Sequence, residues 1–181
     1  PLNYEQDLTN HLDQRVGILW TGTHVCSAQI TSDHISSTNR AFDRQITIWD
    51  NFAANDGKKR SEYLFLNTLS GRDKGILSLT DGHLCNGMVQ SELSLLTLSG
   101  LAELYGTSQD TPAWLEEKFC KSFIELLTRD KNDFEILGRR LPGYRRVNLI
   151  KEYSKEESLA AGQLTRWLKG GYKFDPNCLT D

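Results

Sequence analysis

Tyr4, Leu8 and Leu12 recur every fourth position among charged neighbours, the apolar stripe of a surface helix within residues 2–15. The run Val16-Gly17-Ile18-Leu19-Trp20 follows without alternation, which predicts a strand covered on both faces, as in a parallel sheet. Ser32 and Asp33 are good caps for a helix reaching Arg44, with Ile35 and Phe42 turned inward. A second β-branched run, Ile46-Thr47-Ile48-Trp49, comes next. After a polar connection over residues 50–60, centred on Asn55-Asp56-Gly57, a weaker apolar stretch from Ile76 to Leu84 predicts a third strand, although Asp81-Gly82 breaks it. Leu93, Leu96, Leu101 and Leu104 then mark a helix from about Ser91 to Tyr105. Strands alternating with helices predict βαβ units.

Beyond Gly106 no β-rich run occurs. Thr111-Pro112 suits the start of a helix, and Leu115, Phe119, Phe123 and Leu127 continue it every four residues. Breaks at Gly138 and Leu141-Pro142-Gly143 precede a last helix, Ser154 to Lys169, ended by Gly170-Gly171. The expected organisation is an α/β portion over 1–106 and a helical extension over 107–181.

Composition narrows the function. The 181 residues carry 21 basic and 24 acidic side chains, a formal net charge of -3, and show no long basic run, so nucleic acid is not an expected partner. No apolar stretch is long enough for a membrane span. The chain begins at Pro1 without Met, which suggests a trimmed N-terminus and leaves localisation open, with the cytoplasm as the default. Cys26, Cys85, Cys120 and Cys178 are scattered, and His11, His24, His34 and His83 lack ligand spacing; neither a disulfide framework, a metal site nor a cofactor is expected. Ser27, Thr31 and Cys26 have no recognisable His and acid partners for acyl transfer.

In parallel α/β folds, ligands meet residues at the carboxyl ends of strands. Here those ends carry Trp20-Thr21-Gly22, Trp49-Asp50-Asn51 with Asn55-Asp56 behind, and Cys85-Asn86. Amides and carboxylates beside indole rings suit a neutral, polyhydroxylated ligand, because the polar groups bridge hydroxyls while the ring covers C–H groups. The same residues also serve as turn formers and packing groups in many proteins.

These segments resemble the catalytic domain of glycoside hydrolase family 84, the O-GlcNAcase and β-N-acetylglucosaminidase family. Ile18-Leu19-Trp20-Thr21-Gly22 with Val25 and Ser27 is similar to its W-T-G-P-x-V-x-S block, and Trp49-Asp50-Asn51-Phe52-Ala53-Ala54-Asn55-Asp56 to its W-D-N-x-x-A-N-D-Y block. Leu64-Phe65-Leu66 and Gly71-Arg72 resemble F-L-G-P-x-x-G-R, and Asn86 with Met88, Glu92 and Ser94 resembles the N-P-M segment. The likeness runs from Val16 to Tyr105 in order, and Gly170-Gly171-Tyr172 to Thr180-Asp181 resembles the tail of bacterial members.

The resemblance implies a (β/α)8 TIM barrel of which this chain supplies the last three βα units, followed by the helical extension. It implies a retaining β-N-acetylglucosaminidase in which the substrate's own acetamido oxygen attacks the anomeric carbon, assisted by an adjacent Asp-Asp pair. No Asp-Asp occurs in this chain, so the catalytic pair is expected upstream, on the missing N-terminal part of the same enzyme. By carry-over, Asp56 and Asn86 would hold sugar hydroxyls, Asn51 the acetamido group, and Trp49 the wall around its methyl, while Thr21 shapes its loop. The implied substrate bears N-acetylglucosamine, an O-GlcNAc-modified protein among the options. Thr23, Gly57, Asn67-Thr68 and Gly87 depart from the family's Pro, Tyr, Gly-Pro and Pro, which bears on loop rigidity. The alternative is a non-catalytic binding or interaction module that keeps a barrel remnant.

Overall fold

The computed structural model describes residues 3–106 and 111–177, so Cys178, Thr180 and Asp181 lie outside the described residues. The chain forms two compact units, Pro1–Phe52 with Ser70–Asn86, and Ala53–Leu69 with Gly87–Asp181.

In the first unit, α1 (Tyr4–His11) leads to β1 (Leu19–Trp20), α2 (Ser32–Phe42), β2 (Thr47–Asp50), a 3-10 turn (Lys74–Ser78) and β3 (Gly82–Cys85). The strands make one parallel sheet in the order β1-β2-β3. Ile35 and Phe42 of α2 are buried, with Ile30, Ile46, Ile48 and Ile76, and make the core of this unit. The cap of α2 is Thr31, one residue before the expected Ser32: its hydroxyl accepts from the His34 N–H, and His34 Nδ1 accepts from the Thr31 N–H.

Two strand expectations need correction. Val16–Trp20 does not form a doubly covered strand; only Leu19–Trp20 is extended, and Leu19 is 49% exposed. The Val16 N–H closes a turn on Asp13, and Arg44 takes the carbonyls of Leu12, Asp13 and Val16, which keeps Val16 out of the ladder; the ladder begins where the Ile18 carbonyl accepts from the Thr47 N–H. The third strand begins at Gly82, where the sequence pattern breaks, while the buried Ile76 belongs to the 3-10 turn. An apolar stretch read as one strand is thus a core-facing turn followed by a short strand.

The second unit contains a 3-10 turn (Arg60–Glu62), then α3 (Ser91–Leu104), α4 (Thr111–Phe119), α5 (Lys121–Asn132), a π turn (Asp133–Leu137), a 3-10 turn (Gly138–Arg140), α6 (Gly143–Tyr153) and α7 (Leu159–Leu168). The expected helix through Leu127 breaks at Cys120, whose φ is +58°, yet Phe119 and Phe123 stay buried with rings 6.1 Å apart, so the four-residue spacing survives the break. The expected last helix starts later, at Leu159, with Ser158 as its cap. Helix α6 escapes the pattern because Tyr144 and Val147 face solvent.

Edge-to-face rings organise this unit: Phe123 on Tyr153 and Tyr153 on Phe134 at 5.9 Å each, then Phe134 on Trp167 at 6.2 Å. Beside them the buried Asp130 accepts from Arg129, Arg145 and the Tyr153 hydroxyl, joining α5 to α6. Gly138 ends the π turn with φ +56°, and a Cβ there would fall 2.2 Å from the Glu62 carbonyl oxygen, so glycine is required on both grounds.

Phe134→Ala is expected to cost about 3–5 kcal/mol, because a fully buried ring with two aromatic neighbours leaves a cavity, whereas Ile136→Ala two residues on should stay within about 0.5 kcal/mol. Urea unfolding of the two variants checks this, and equal losses would misplace the core.

Candidate active-site residues at the carboxyl ends of the strands

Parallel strands bring their carboxyl ends to one edge of a sheet, and the register pairs Trp49 with Leu84 and Asp50 with Cys85. The Asn86 N–H continues the ladder by donating to the Asp50 carbonyl at 2.8 Å, which carries Asn86 alongside Asn51. Asn86 Nδ2 donates to Asn51 Oδ1 at 2.8 Å, and Asn51 Nδ2 donates to the Val25 carbonyl at 2.9 Å. This relay fixes both amides and leaves further hydrogen-bonding capacity on each. The structure therefore joins Asn51 and Asn86 directly.

Trp49 lies on the opposite face of β2 from the buried Ile48 and Asp50 and is 40% exposed. Leu19 and Leu84, at 49% and 56%, share that face, so one side of the sheet is packed and the other presents apolar side chains. Thr21 is half-buried just after β1. Beyond it the backbone needs Gly22, where φ is +97° and a Cβ would collide with Ser27 Oγ at 2.1 Å.

The network that holds this edge together escaped the sequence reading. Asp50 Oδ1 accepts from Arg72 Nη2 at 2.6 Å and the Phe52 N–H at 2.9 Å; Oδ2 accepts from Arg72 Nε at 2.7 Å and His83 Nε2 at 3.1 Å. Arg72 spends its other donors on the carbonyls of Ser27, Ala28 and Ser70. All five guanidinium N–H groups and four acceptor positions of the carboxylate are thus in use. Burial alone would raise the Asp50 pKa, but the hydrogen bonds from His83 and Arg72, with the Arg72 charge, outweigh it and hold the carboxyl below its ordinary 3.8. Asp50 is consequently a positioning residue, with no lone pair left for proton transfer. The signal in sequence was Asp50 between two expected site residues, with a Gly-Arg dipeptide downstream.

The Cys85 thiol, next on the edge, is pushed up to about 12 by burial and by the Asp50 charge, which rules it out as a thiolate nucleophile. Among the described residues no cluster of three or more His, Cys, Asp or Glu could hold a metal ion, and no helix is long and apolar enough to cross a membrane.

Asp56 belongs to the second unit. Its neighbour Asn55 is buried and braces the loop: Oδ1 accepts from the Val89 N–H at 2.8 Å, and Nδ2 donates to Gln90 Oε1 at 2.8 Å and to the Tyr63 carbonyl at 3.2 Å. Within this unit Asp56, Ser61, Val89, Tyr172, Lys173 and Asp175 line a cavity of about 280 Å3.

An α/β domain with amide side chains at the carboxyl edge of a parallel sheet has the layout of an enzyme that handles polar small groups. Residues 1–137 match the family profile of beta-N-acetylglucosaminidase (NAGidase), and the chain belongs to that family. It is 30% identical over 95 residues to Protein O-GlcNAcase of Rattus norvegicus, and equally to that of Mus musculus, covering 52% of this chain and 10% of each relative. The solved structure of a mutant O-GlcNAc hydrolase from Thermobaculum terrenum superposes with a TM-score of 0.68 at 22% identity, over 93% of this chain and 44% of that one. The chain thus spans about a tenth of the curated relatives it matches, and the α/β fold with a small parallel sheet is shared with the hydrolase structure.

Because the folded Asp50 pKa lies below the unfolded one, its contribution to stability is present in full above 3.8 and is lost as pH falls through the depressed folded value. Asp50→Asn should therefore flatten the decline of urea stability in acid. At neutral pH Arg72→Ala should cost about 3–5 kcal/mol, since it strands a buried carboxylate. A wild-type acid profile in Asp50→Asn would remove the carboxylate from this role.

Proposed function

We propose that residues 1–106 form the carboxyl-terminal βα units of a (β/α)8 barrel, with 107–181 as its helical extension. In this reading the chain supplies part of the N-acetylglucosamine pocket of a retaining β-N-acetylglucosaminidase. The observation that carries it is the sheet itself: three parallel strands, the edges β1 and β3 each paired on one side, and an apolar face of Leu19, Trp49 and Leu84 left open. Such a sheet needs further strands to satisfy its edges and cover that face. The NAGidase match and the O-GlcNAc hydrolase fold support the same reading.

The chemistry then divides between two parts of one enzyme. The Asp-Asp pair comes from the remainder of the barrel: one carboxylate orients and polarises the acetamido group, whose oxygen attacks the anomeric carbon as the glycosidic bond breaks, and the other residue, protonated, gives its proton to the leaving oxygen. This chain binds. Asn51, held between Asn86 and Val25, offers its remaining amide capacity to the acetamido group, and the exposed Trp49 ring walls the methyl. Asn86 and Asp56 take sugar hydroxyls, with the support for Asp56 resting on its motif and its cavity. Thr21 keeps the β1 loop in shape. The substrate is a conjugate bearing terminal N-acetylglucosamine, an O-GlcNAc-modified protein foremost, and no cofactor takes part.

The purified 181-residue chain should not hydrolyse an aryl N-acetylglucosaminide above the buffer rate, and co-expression with the upstream barrel segment should restore turnover. In the restored enzyme Asp56→Asn should lower kcat/KM at least about tenfold, or roughly 1.4 kcal/mol. Turnover by the chain alone would misplace the catalytic groups. Failure of the upstream segment to restore activity would favour a non-catalytic binding module.

A further inference from the structure

The C-terminal segment of the second unit is held against the Asp56 loop by an arginine that touches both. Arg139 donates to the Ser61 carbonyl at 3.3 Å on the loop side and to the carbonyls of Gly171 and Tyr172 at 2.6 and 3.1 Å on the other. The segment turns through left-handed backbone at Gly170 (φ +90°) and again at Tyr172 (φ +53°), where a side chain makes that conformation unfavourable. It is held there by the Arg139 bonds and by the Arg166 guanidinium 4.9 Å over the Tyr172 ring. The result is that Tyr172 and Lys173 line the same cavity as Asp56.

The chemistry of the lining selects among ligands. Asp56 can only accept, and Lys173 can only donate. An anion would meet the two carboxylates Asp56 and Asp175, whereas a hydroxyl can accept from the ammonium and donate to a carboxylate at once, using both kinds of group. Asp175 is turned by its own loop, its Oδ1 accepting from the N–H and Nδ2 of Asn177 at 2.9 Å each. At about 280 Å3 the cavity falls just below the roughly 300–1,000 Å3 of drug-sized ligand pockets, a size suited to one small ring and not to a longer ligand.

We propose that Tyr172 and Lys173 form a second wall of the Asp56 cavity, making it a sugar-hydroxyl site in which Lys173 donates to a hydroxyl that in turn donates a hydrogen bond to Asp56. The inference rests on the reading of Asp56 as a sugar-binding residue. It assigns a binding role to the tail segment beginning at Gly170, to which the sequence reading gave none.

The test uses the full enzyme containing this chain, with N-acetylglucosamine as competitive inhibitor and an aryl N-acetylglucosaminide as substrate. Lys173→Met should raise the inhibitor's Ki and the KM about fivefold or more while kcat stays within about twofold, and Lys173→Arg should restore most of the affinity. Lys151→Met, on the exposed side of α6, serves as the control, and melting midpoints confirm that each variant is folded. If Asp56→Asn weakens the inhibitor but Lys173→Met and Tyr172→Ala leave it unchanged, the second wall is wrong and the sugar reading stands. If none of the three moves Ki, the sugar reading itself fails. Inhibition by inorganic phosphate that depends on Lys173, with no effect of Lys173→Met on N-acetylglucosamine, would make the cavity an anion site and overturn the proposal.

Discussion

The first unit depends on one buried ion pair. Arg72 reaches from the segment before β3 into the sheet, grips both oxygens of Asp50 and binds three carbonyls around it, so the loop after β1, the end of β2 and the segment entering the 3-10 turn share one anchor. A buried ion pair is weak evidence for net stability, because a well-packed apolar replacement can match it. Its value here is geometric. Five fixed donor directions set where the carboxyl ends of β1 and β2 lie, and an apolar side chain could fill the space without setting those directions. The amide relay from Asn86 through Asn51 to Val25 runs along the edge that this anchor fixes.

The second unit solves a similar problem with α-helices. Asp130 is buried on α5 and draws on Arg129, Arg145 and Tyr153, while the Tyr153 ring stacks edge-on against Phe123 and Phe134. Burial alone would raise the Asp130 pKa, but its two arginines outweigh that and keep it charged. Tyr153 is pushed the other way by burial and by the Asp130 charge, so its hydroxyl stays a donor. An acceptor and a donor thus remain fixed in identity at the junction of α5 and α6.

Much of this was legible in the sequence where a residue's duty is local. The run at Trp49, the leucines of α3 and the glycine after α7 announced themselves through spacing and turn chemistry, while the run ending at Trp20 did so only for its last two residues. The family blocks were legible too, because they sit at strand ends, where backbone shape and hydrogen bonding restrict residue type. What stayed hidden was long-range pairing. Asp50 meets partners 22 and 33 positions away, and nothing in the neighbourhood of His83 distinguishes it from a surface histidine. Helix α6 was hidden for the opposite reason: its solvent face carries Tyr144 and Val147, which blur the contrast that marks an amphipathic helix. The break at Cys120 was invisible because Phe119 and Phe123 return to the same core on either side of it.

The suppressed acidity of Cys85 has a practical consequence. With its pKa pushed up by burial and the Asp50 charge, the thiol stays protonated at neutral pH, so alkylating reagents should react with it only slowly while the strand is in place. Cys120, at the entrance to α5, is a free thiol exposed to solvent. Set against Cys120, the labelling of Cys85 therefore records how often the end of β3 leaves the sheet and Asp50 releases its grip on the arginine.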